Sequence, residues 1–190
     1  KRLGVLVENV LRASLSESGA MRLYTQPLNV HDLVKGVVKN MAMQFHKKGA
    51  KVELDLGASN PNLECDRIHL TNVMFNLIDN AMKYAGDDPH IVIRTRQSDS
   101  GLSLSVQDNG MGIAKEHLGK VFERLYRVPT GNVHNVKGFG LGLSYVKNVI
   151  ERHEGSVQIE STPEEGTTLT LNLPFEHQPD KTEELSLIHI

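Results

Sequence analysis

Apolar residues recur along this chain with two periods, and the alternation between them lays out the fold. From residue 2 to about 17, Leu3, Leu6, Val7, Val10, Leu11 and Leu15 fall at helical spacing, which predicts an amphipathic helix ended by Ser18 and Gly19. The extended stretch MRLYTQPLNV leads through Pro27 into a helix over residues 29–47, with Val30, Leu33, Val34, Val37, Val38 and Met41 inward. KVELDLG alternates as a strand, and NLECD reads as a short strand feeding a helix over residues 66–85. HIVIRTRQS and LSLSVQD are alternating runs joined by DSG, a hairpin signal. Residues 109–140 are Gly-rich, polar and weakly periodic, and predict a long loop. A helix over residues 141–153 stops at Gly155. SVQIES and TTLTLNLP then make two last strands about the turn TPEEG, and a polar tail without periodicity follows Pro174.

Strands joined as hairpins, with three helices among them, predict an α+β fold. Its sheet is expected to be mixed and mostly antiparallel, with the helices on one face. The leading amphipathic helix stands before this unit.

The helix over residues 66–85 has an unusual polar side. On a wheel of about 100° per residue, Leu70, Val73, Met74, Leu77, Ile78 and Ala81 form one broad apolar face. His69, Asn72, Asn76, Asn80 and Lys83 gather on the other, with Tyr84 at the border. A solvated face is the ordinary explanation of such a stripe. Solvated faces, however, favour Glu, Lys, Arg and Gln, and each Asn costs a helix roughly half a kcal/mol relative to Ala. Three neutral carboxamides one turn apart also suit a hydrated metal ion or a phosphate.

Composition narrows the setting. With 190 residues, 39% of them hydrophobic, and a formal charge of −2, the chain fits one globular domain with an appendage. Slight acidity argues against a nucleic-acid surface. The single cysteine, Cys65, leaves no disulfide framework and no cysteine-based zinc site, and a reducing compartment is the simplest setting. No stretch approaches 18 consecutive apolar residues, and the N-terminal residues lack the apolar core of a signal peptide. A start at Lys1 rather than Met reads as a piece of a longer protein.

Two further stretches carry candidate chemistry. Leu102, Leu104 and Val106 point to one face of their strand, and period two places Asp108 on that same face. A carboxylate continuing a core-facing row needs donors. An Asx turn into NGMG would supply them, and so would a ligand amine, with Gly110 and Gly112 letting the backbone close on that ligand. In KGFGLGLSYVKNVI, Gly138, Gly140 and Gly142 enter a helix. Flexible loops and tight helix packing produce the same letters as a phosphate-binding helix N-terminus. Neither a Walker loop nor a dinucleotide fingerprint fits the spacing.

The combination is more specific than its parts. NLIDNAMKY, DNGMGI, VFERLYRV, GFGLGLS and EEGTTLTL, in that order, resemble the N, G1, F, G2 and G3 boxes of sensor histidine kinases over roughly residues 25–174. Upstream, LVENVLRASLSESGAMRLYTQPLNVHDLV resembles the end of the dimerisation helix and its linker. The resemblance implies the Bergerat-type two-layer α/β sandwich shared with gyrase, heat-shock and mismatch-repair ATPases. Its expected domains are residues 1–19 as the end of dimerisation helix 2, residues 20–175 as the catalytic ATP-binding domain with a lid at about 109–140, and residues 176–190 as a polar tail.

The same resemblance implies site residues, taken one by one. Asn80 matches the Mg²⁺ ligand, and Asn76 lines the phosphate site. Lys83 would reach the phosphates, and Tyr84 would pack on the adenine. Asp108 matches the acceptor of the adenine amine, with Gly110, Gly112 and Ile113 shaping the base pocket and Thr167 holding the base through water. Arg127 matches a lid arginine that approaches the γ-phosphate; Arg124 and Lys137 are weaker candidates, and Phe122 and Tyr126 would pack the lid down. Gly138, Gly140, Leu141 and Gly142 would face the phosphates. Asn76, Lys83 and Arg127 are the expected catalytic set, with ATP and Mg²⁺ bound.

In ATPases of this superfamily the position of Asn76 holds a Glu that activates water, and a carboxamide is no general base. The implied chemistry is therefore transfer of the γ-phosphoryl group to a histidine of the dimerisation domain, then relay to an aspartate of a response regulator. The alternative is an ATPase or nucleotide-sensing module of the same superfamily. HDLVKG at His31 resembles the acceptor motif but lacks its Arg-Thr-Pro-Leu continuation, and is expected instead to begin a helix of the catalytic domain. His69 is expected to be structural or solvated, and His134 to be exposed in the lid. The acceptor box is thus absent, and this chain is expected to bind Mg²⁺-ATP as a monomer without labelling itself. Its parent is expected to be a homodimer anchored in the inner membrane, with this domain in the cytoplasm.

Overall fold

Asn29 begins the first long helix by accepting the Asp32 backbone N–H on its side-chain oxygen, at 3.1 Å. That cap and the elements after it come from a computed structural model, which describes residues 21–129 and 139–175. The leading helix, the Lys137 and Gly138 candidates, His134 and the C-terminal tail lie outside the described residues.

In chain order the elements are β1 (Gln26–Asn29), α1 (Val30–Lys48), β2 (Lys51–Leu56), β3 (Asn62–Cys65) and α2 (Arg67–Tyr84). They continue with β4 (His90–Gln97), β5 (Gly101–Asp108), α3 (Lys115–Leu118), α4 (Gly142–Arg152), β6 (Ser156–Thr162) and β7 (Gly166–Pro174). Five strands form one sheet in the order β2-β4-β5-β7-β6, and β1 and β3 pair separately. The β2–β4 pair is parallel and the other three ladders are antiparallel. This is the expected mixed, mostly antiparallel sheet. The loop expected over residues 109–140 contains the short helix α3.

Alternation decides which face of the sheet is covered. Ile91 and Ile93 of β4, Leu102, Leu104 and Val106 of β5, and Leu169, Leu171 and Leu173 of β7 point to one side and are buried. Against them pack Val30, Leu33, Val34, Val37, Met41 and Phe45 of α1, the apolar face of α2, and Val146, Val149 and Ile150 of α4. Each such side chain contributes roughly 1.5–3 kcal/mol relative to exposure. Every apolar position on the α2 wheel is buried, and Met82 joins them. Val38, expected inward on α1, is only half-buried.

His31 lies in the first turn of α1, where its Nε2 sits 2.8 Å from the Thr95 hydroxyl. Partial burial and the neighbouring Lys35 charge hold its imidazole below the ordinary value, against the opposing pull of Asp32. It begins a helix, as the sequence implied.

Asp66 joins three parts of the molecule. One carboxylate oxygen caps α2 by accepting the His69 N–H at 3.0 Å, and the other accepts the Tyr24 N–H at 2.8 Å. Its own N–H donates to Nε2 of the buried His153, 3.0 Å away, while Nδ1 of that ring meets the Val149 carbonyl at 2.8 Å. With both bonds made, the proton sits on Nδ1. Arg152 donates to the Met21 carbonyl at 3.1 Å. The segment entering the domain is therefore fastened to the start of α2 and the end of α4.

Candidate functional site

The opposite ends of α2 and α4 enclose a cavity of about 520 Å³ with β5, β7 and the segment after β5. Asn76, Asn80, Lys83, Tyr84, Asp108, Gly112, Ile113, Arg124, Arg127, Gly140, Leu141, Gly142 and Thr167 all line it. Residues chosen from five separated stretches of sequence thus meet at one place. Gly110 stands just outside this wall, in an adjoining hollow with Tyr84, Met111 and Glu164.

At one end of the cavity lies Asp108. The ladders place it between Ile91 of β4 and Thr167 of β7. Its Oδ1 accepts the Gly110 N–H at 2.8 Å, so the Asx turn is made, and the residue also lines the cavity. Burial raises its carboxyl above the ordinary value, and the N–H groups of Gly110 and Thr167 only partly offset that. Such a carboxylate gains from any further donor that reaches it.

The glycines act through close approach. A β-carbon at Gly110 would lie 2.7 Å from both Asp108 Oδ1 and the Tyr84 carbonyl oxygen, and Gly112 has φ +64 against the Thr162 backbone. Met111 donates its N–H to the Tyr84 carbonyl at 3.1 Å, which ties the turn to the end of α2.

At the other end, the asparagine stripe faces the start of α4. A β-carbon on Gly142 would sit 2.9 Å from Asn76 Oδ1 and 3.9 Å from Asn80 Nδ2. Asn76 turns its amide back to the Asn72 carbonyl at 2.8 Å. Leu141 occupies the N-cap position of α4 without capping it, and the Ser144 hydroxyl donates to the Leu141 carbonyl rather than accepting an N–H. The first turn therefore lacks a side-chain cap and lines the cavity, a setting that favours an anion. Farther along the same two helices, His69 Nδ1 meets the Tyr145 hydroxyl at 2.9 Å, a structural role for that histidine.

Lys83 lines the cavity as expected, but its ammonium is paired with Asp79, one turn back on α2. A half-exposed helix pair of this kind is worth about 0.3–0.5 kcal/mol, so the lysine can exchange to a stronger anion at little cost. Phe122 packs against the core, and the Tyr126 hydroxyl meets His117 Nδ1 at 2.7 Å, both holding down the segment that carries Arg124 and Arg127.

Asp79 and Ser161 are site-region residues that sequence reasoning missed. Asp79 was detectable from its i,i+4 spacing to Lys83. Ser161 had no such signal; its hydroxyl contacts Ile113, Gly166 and Thr167 only because β6 folds back on β7.

The donor set suits a nucleotide. Among the described residues no three His, Cys, Asp or Glu side chains gather as a metal site. Asn80 offers one hard, neutral oxygen, which fits an ion that keeps its waters and takes its other ligands from phosphate.

Comparison with known proteins places the chain in a family. A profile described as "Histidine kinase-, DNA gyrase B-, and HSP90-like ATPase" matches residues 65–177. The chain belongs to that family. Among the family's sensor kinases, the chain is 43% identical to the sensor protein RprX of Bacteroides fragilis (strain YCH46), over 92% of this chain and 34% of that protein. It is 37% identical to the sensor histidine kinase WalK of Bacillus subtilis (strain 168), over 64% of this chain and 20% of that protein. The chain thus spans about a third or less of the length of these two relatives. Its fold superposes on full-length ShkA, solved with AMPPNP, with a TM-score of 0.82 at 24% identity, covering 93% of this chain and 36% of that one. In this ATPase-like family the expected α+β sandwich and the observed sheet coincide. No helix among the described residues is long and apolar enough to cross a membrane.

Proposed function

We propose that this chain is the catalytic domain of a sensor histidine kinase, binding Mg²⁺-ATP and passing its γ-phosphoryl group to a histidine on a separate dimerisation domain. One observation carries the reading. Asp108 and the glycine-led start of α4 stand at opposite ends of one cavity, with Asn76 and Asn80 beside that start. Asp108 would accept from the base amine, and Tyr84 would lie against the base. The α4 first turn, Lys83 and Arg127 would hold phosphate oxygens, and Asn80 the ion. The ion would neutralise charge on the phosphates as the β–γ bond opens.

The incoming imidazole nitrogen forms the new N–P bond, ADP departs with the electrons of the broken P–O bond, and the imidazole N–H proton passes to solvent. Asn76 cannot take a proton from water, so transfer is favoured over hydrolysis. The phosphoryl group would then pass to an aspartate of a response regulator. The longer protein would be a homodimer anchored in a membrane, with this domain in the cytoplasm.

Mixing the chain with the parent's dimerisation domain and γ-labelled ATP tests the reading. Acid-labile label on the partner supports it. Free phosphate without label would support the alternative, an ATPase of the same superfamily.

A further inference from the structure

Ser161 does not line the cavity, yet three bonds converge on its hydroxyl. Ile113 donates its N–H to Ser161 Oγ at 2.8 Å. The Gly166 carbonyl oxygen lies 2.8 Å away, and the Thr167 hydroxyl 2.9 Å away. A serine hydroxyl has one proton and two lone pairs. The Gly166 carbonyl can only accept, so the serine proton goes there. The Ile113 N–H takes one lone pair. Only the second lone pair remains for Thr167, whose own proton must therefore point at Ser161. The Thr167 oxygen is left with lone pairs alone.

Thr167 lines the cavity directly opposite Asp108 in the β5–β7 ladder, and its N–H is one of the groups stabilising that carboxylate. Two side chains at this end thus present acceptors without donors. A ligand edge, or a water bridging to it, has to bring the hydrogens.

We propose that Ser161 is a positioning residue for base selectivity: by holding the Thr167 hydroxyl as an acceptor beside Asp108, it favours a base bearing an exocyclic amine over one bearing a carbonyl. This inference rests on the nucleotide reading of the cavity. In Ser161→Ala the Thr167 proton is released and can turn into the cavity, where it serves a carbonyl.

The test is titration of the full chain with ATP and with inosine triphosphate at one Mg²⁺ concentration, using the ratio of the two dissociation constants. The triphosphate is common to both ligands and cancels in that ratio. Wild type is expected to prefer ATP. Ser161→Ala is expected to reduce the preference by about tenfold, while Ser161→Thr, which keeps the hydroxyl, restores it to within about threefold. Thr167→Val removes the oriented group, so adding Ser161→Ala to it is expected to leave the ratio unchanged.

Equal weakening of both ligands in Ser161→Ala, with the ratio intact, would reduce the residue to a structural tie and overturn the proposal alone. A wild-type chain that binds neither nucleotide would overturn the nucleotide reading, and this inference with it.

Discussion

Gly142 stands against Asn76: a β-carbon on the glycine would lie 2.9 Å from the asparagine's side-chain oxygen. The start of α4 and the stripe of α2 are therefore in contact, and the glycine is what permits it. Gly142→Ala supplies a better helix former, worth roughly 0.5–1 kcal/mol, at a position whose φ needs no glycine. The added methyl must displace the Asn76 carboxamide. The expected outcome is a melting temperature unchanged or slightly raised, with nucleotide affinity lowered about tenfold. Calorimetric melting and nucleotide titration on the same sample separate the two effects.

Asp108 carries a cost in the empty domain, because burial raises its carboxyl above the ordinary 3.8. The folded state therefore holds this proton to higher pH than the unfolded chain does. Asp108 thus contributes declining stability as pH rises from 3.8 through the raised folded value. Asp108→Asn should leave the ligand-free domain as stable or more stable at neutral pH. The same change removes a charged acceptor worth about 1.5–3 kcal/mol, roughly ten- to hundredfold in ATP binding. Urea titrations with and without ATP check both halves; a variant that binds as wild type would remove Asp108 from the base site.

Asn76→Glu would place a carboxylate where the resemblance puts the water-activating Glu of the superfamily's ATPases. Phosphate release by the chain alone should rise about tenfold or more. A flat rate, with ATP still bound, would mean that no water sits in line with the γ-phosphate.

Asp66 behaves oppositely to Asp108. Its burial would raise the carboxyl, but the N–H groups of His69, Tyr24 and Ile68 outweigh burial and hold it below the ordinary 3.8. Its stabilising effect is complete above 3.8 and is lost as pH falls through the lower folded value. Asp66→Ala should cost about 0.5–2 kcal/mol at pH 7 through the lost cap. The gap to wild type should shrink below pH 3.8, as read by denaturant midpoints.

The legibility of this molecule follows from what periodicity encodes. A period of 3.6 gave every buried position of α2 except Met82, and a period of two aligned Asp108 with Leu102, Leu104 and Val106. Hairpin turns announced the β4–β5 and β6–β7 pairs. Nothing local announces that β2 lies parallel to β4 or that β7 pairs β5, because a strand's own alternation says which face it buries and not which neighbour it takes. Ser161 was hidden for that reason, since its meaning lies in three partners that other strands and loops bring to it. His153 was hidden too: a histidine bridging the Asp66 N–H and the Val149 carbonyl leaves no spacing to read. The gathering of the candidate residues around one cavity was legible through the order of five boxes, a long-range pattern in which each box by itself has a bland explanation.

The anchoring of α4 is uneven along its length. Val146, Val149 and Ile150 are fully buried in the core, whereas Gly142, Leu143, Ser144 and Tyr145 in the first turn are only half-buried. The His69–Tyr145 bond joins that turn to α2, and Gly142 passes close to the Asn76 side chain. Water can replace a polar tie at a net loss near 1 kcal/mol, but it cannot replace a buried valine so cheaply. The helix is consequently held more firmly at its end than at its start. The first turn, which lines the cavity, is therefore the part of α4 that separates from its neighbours at the lower cost.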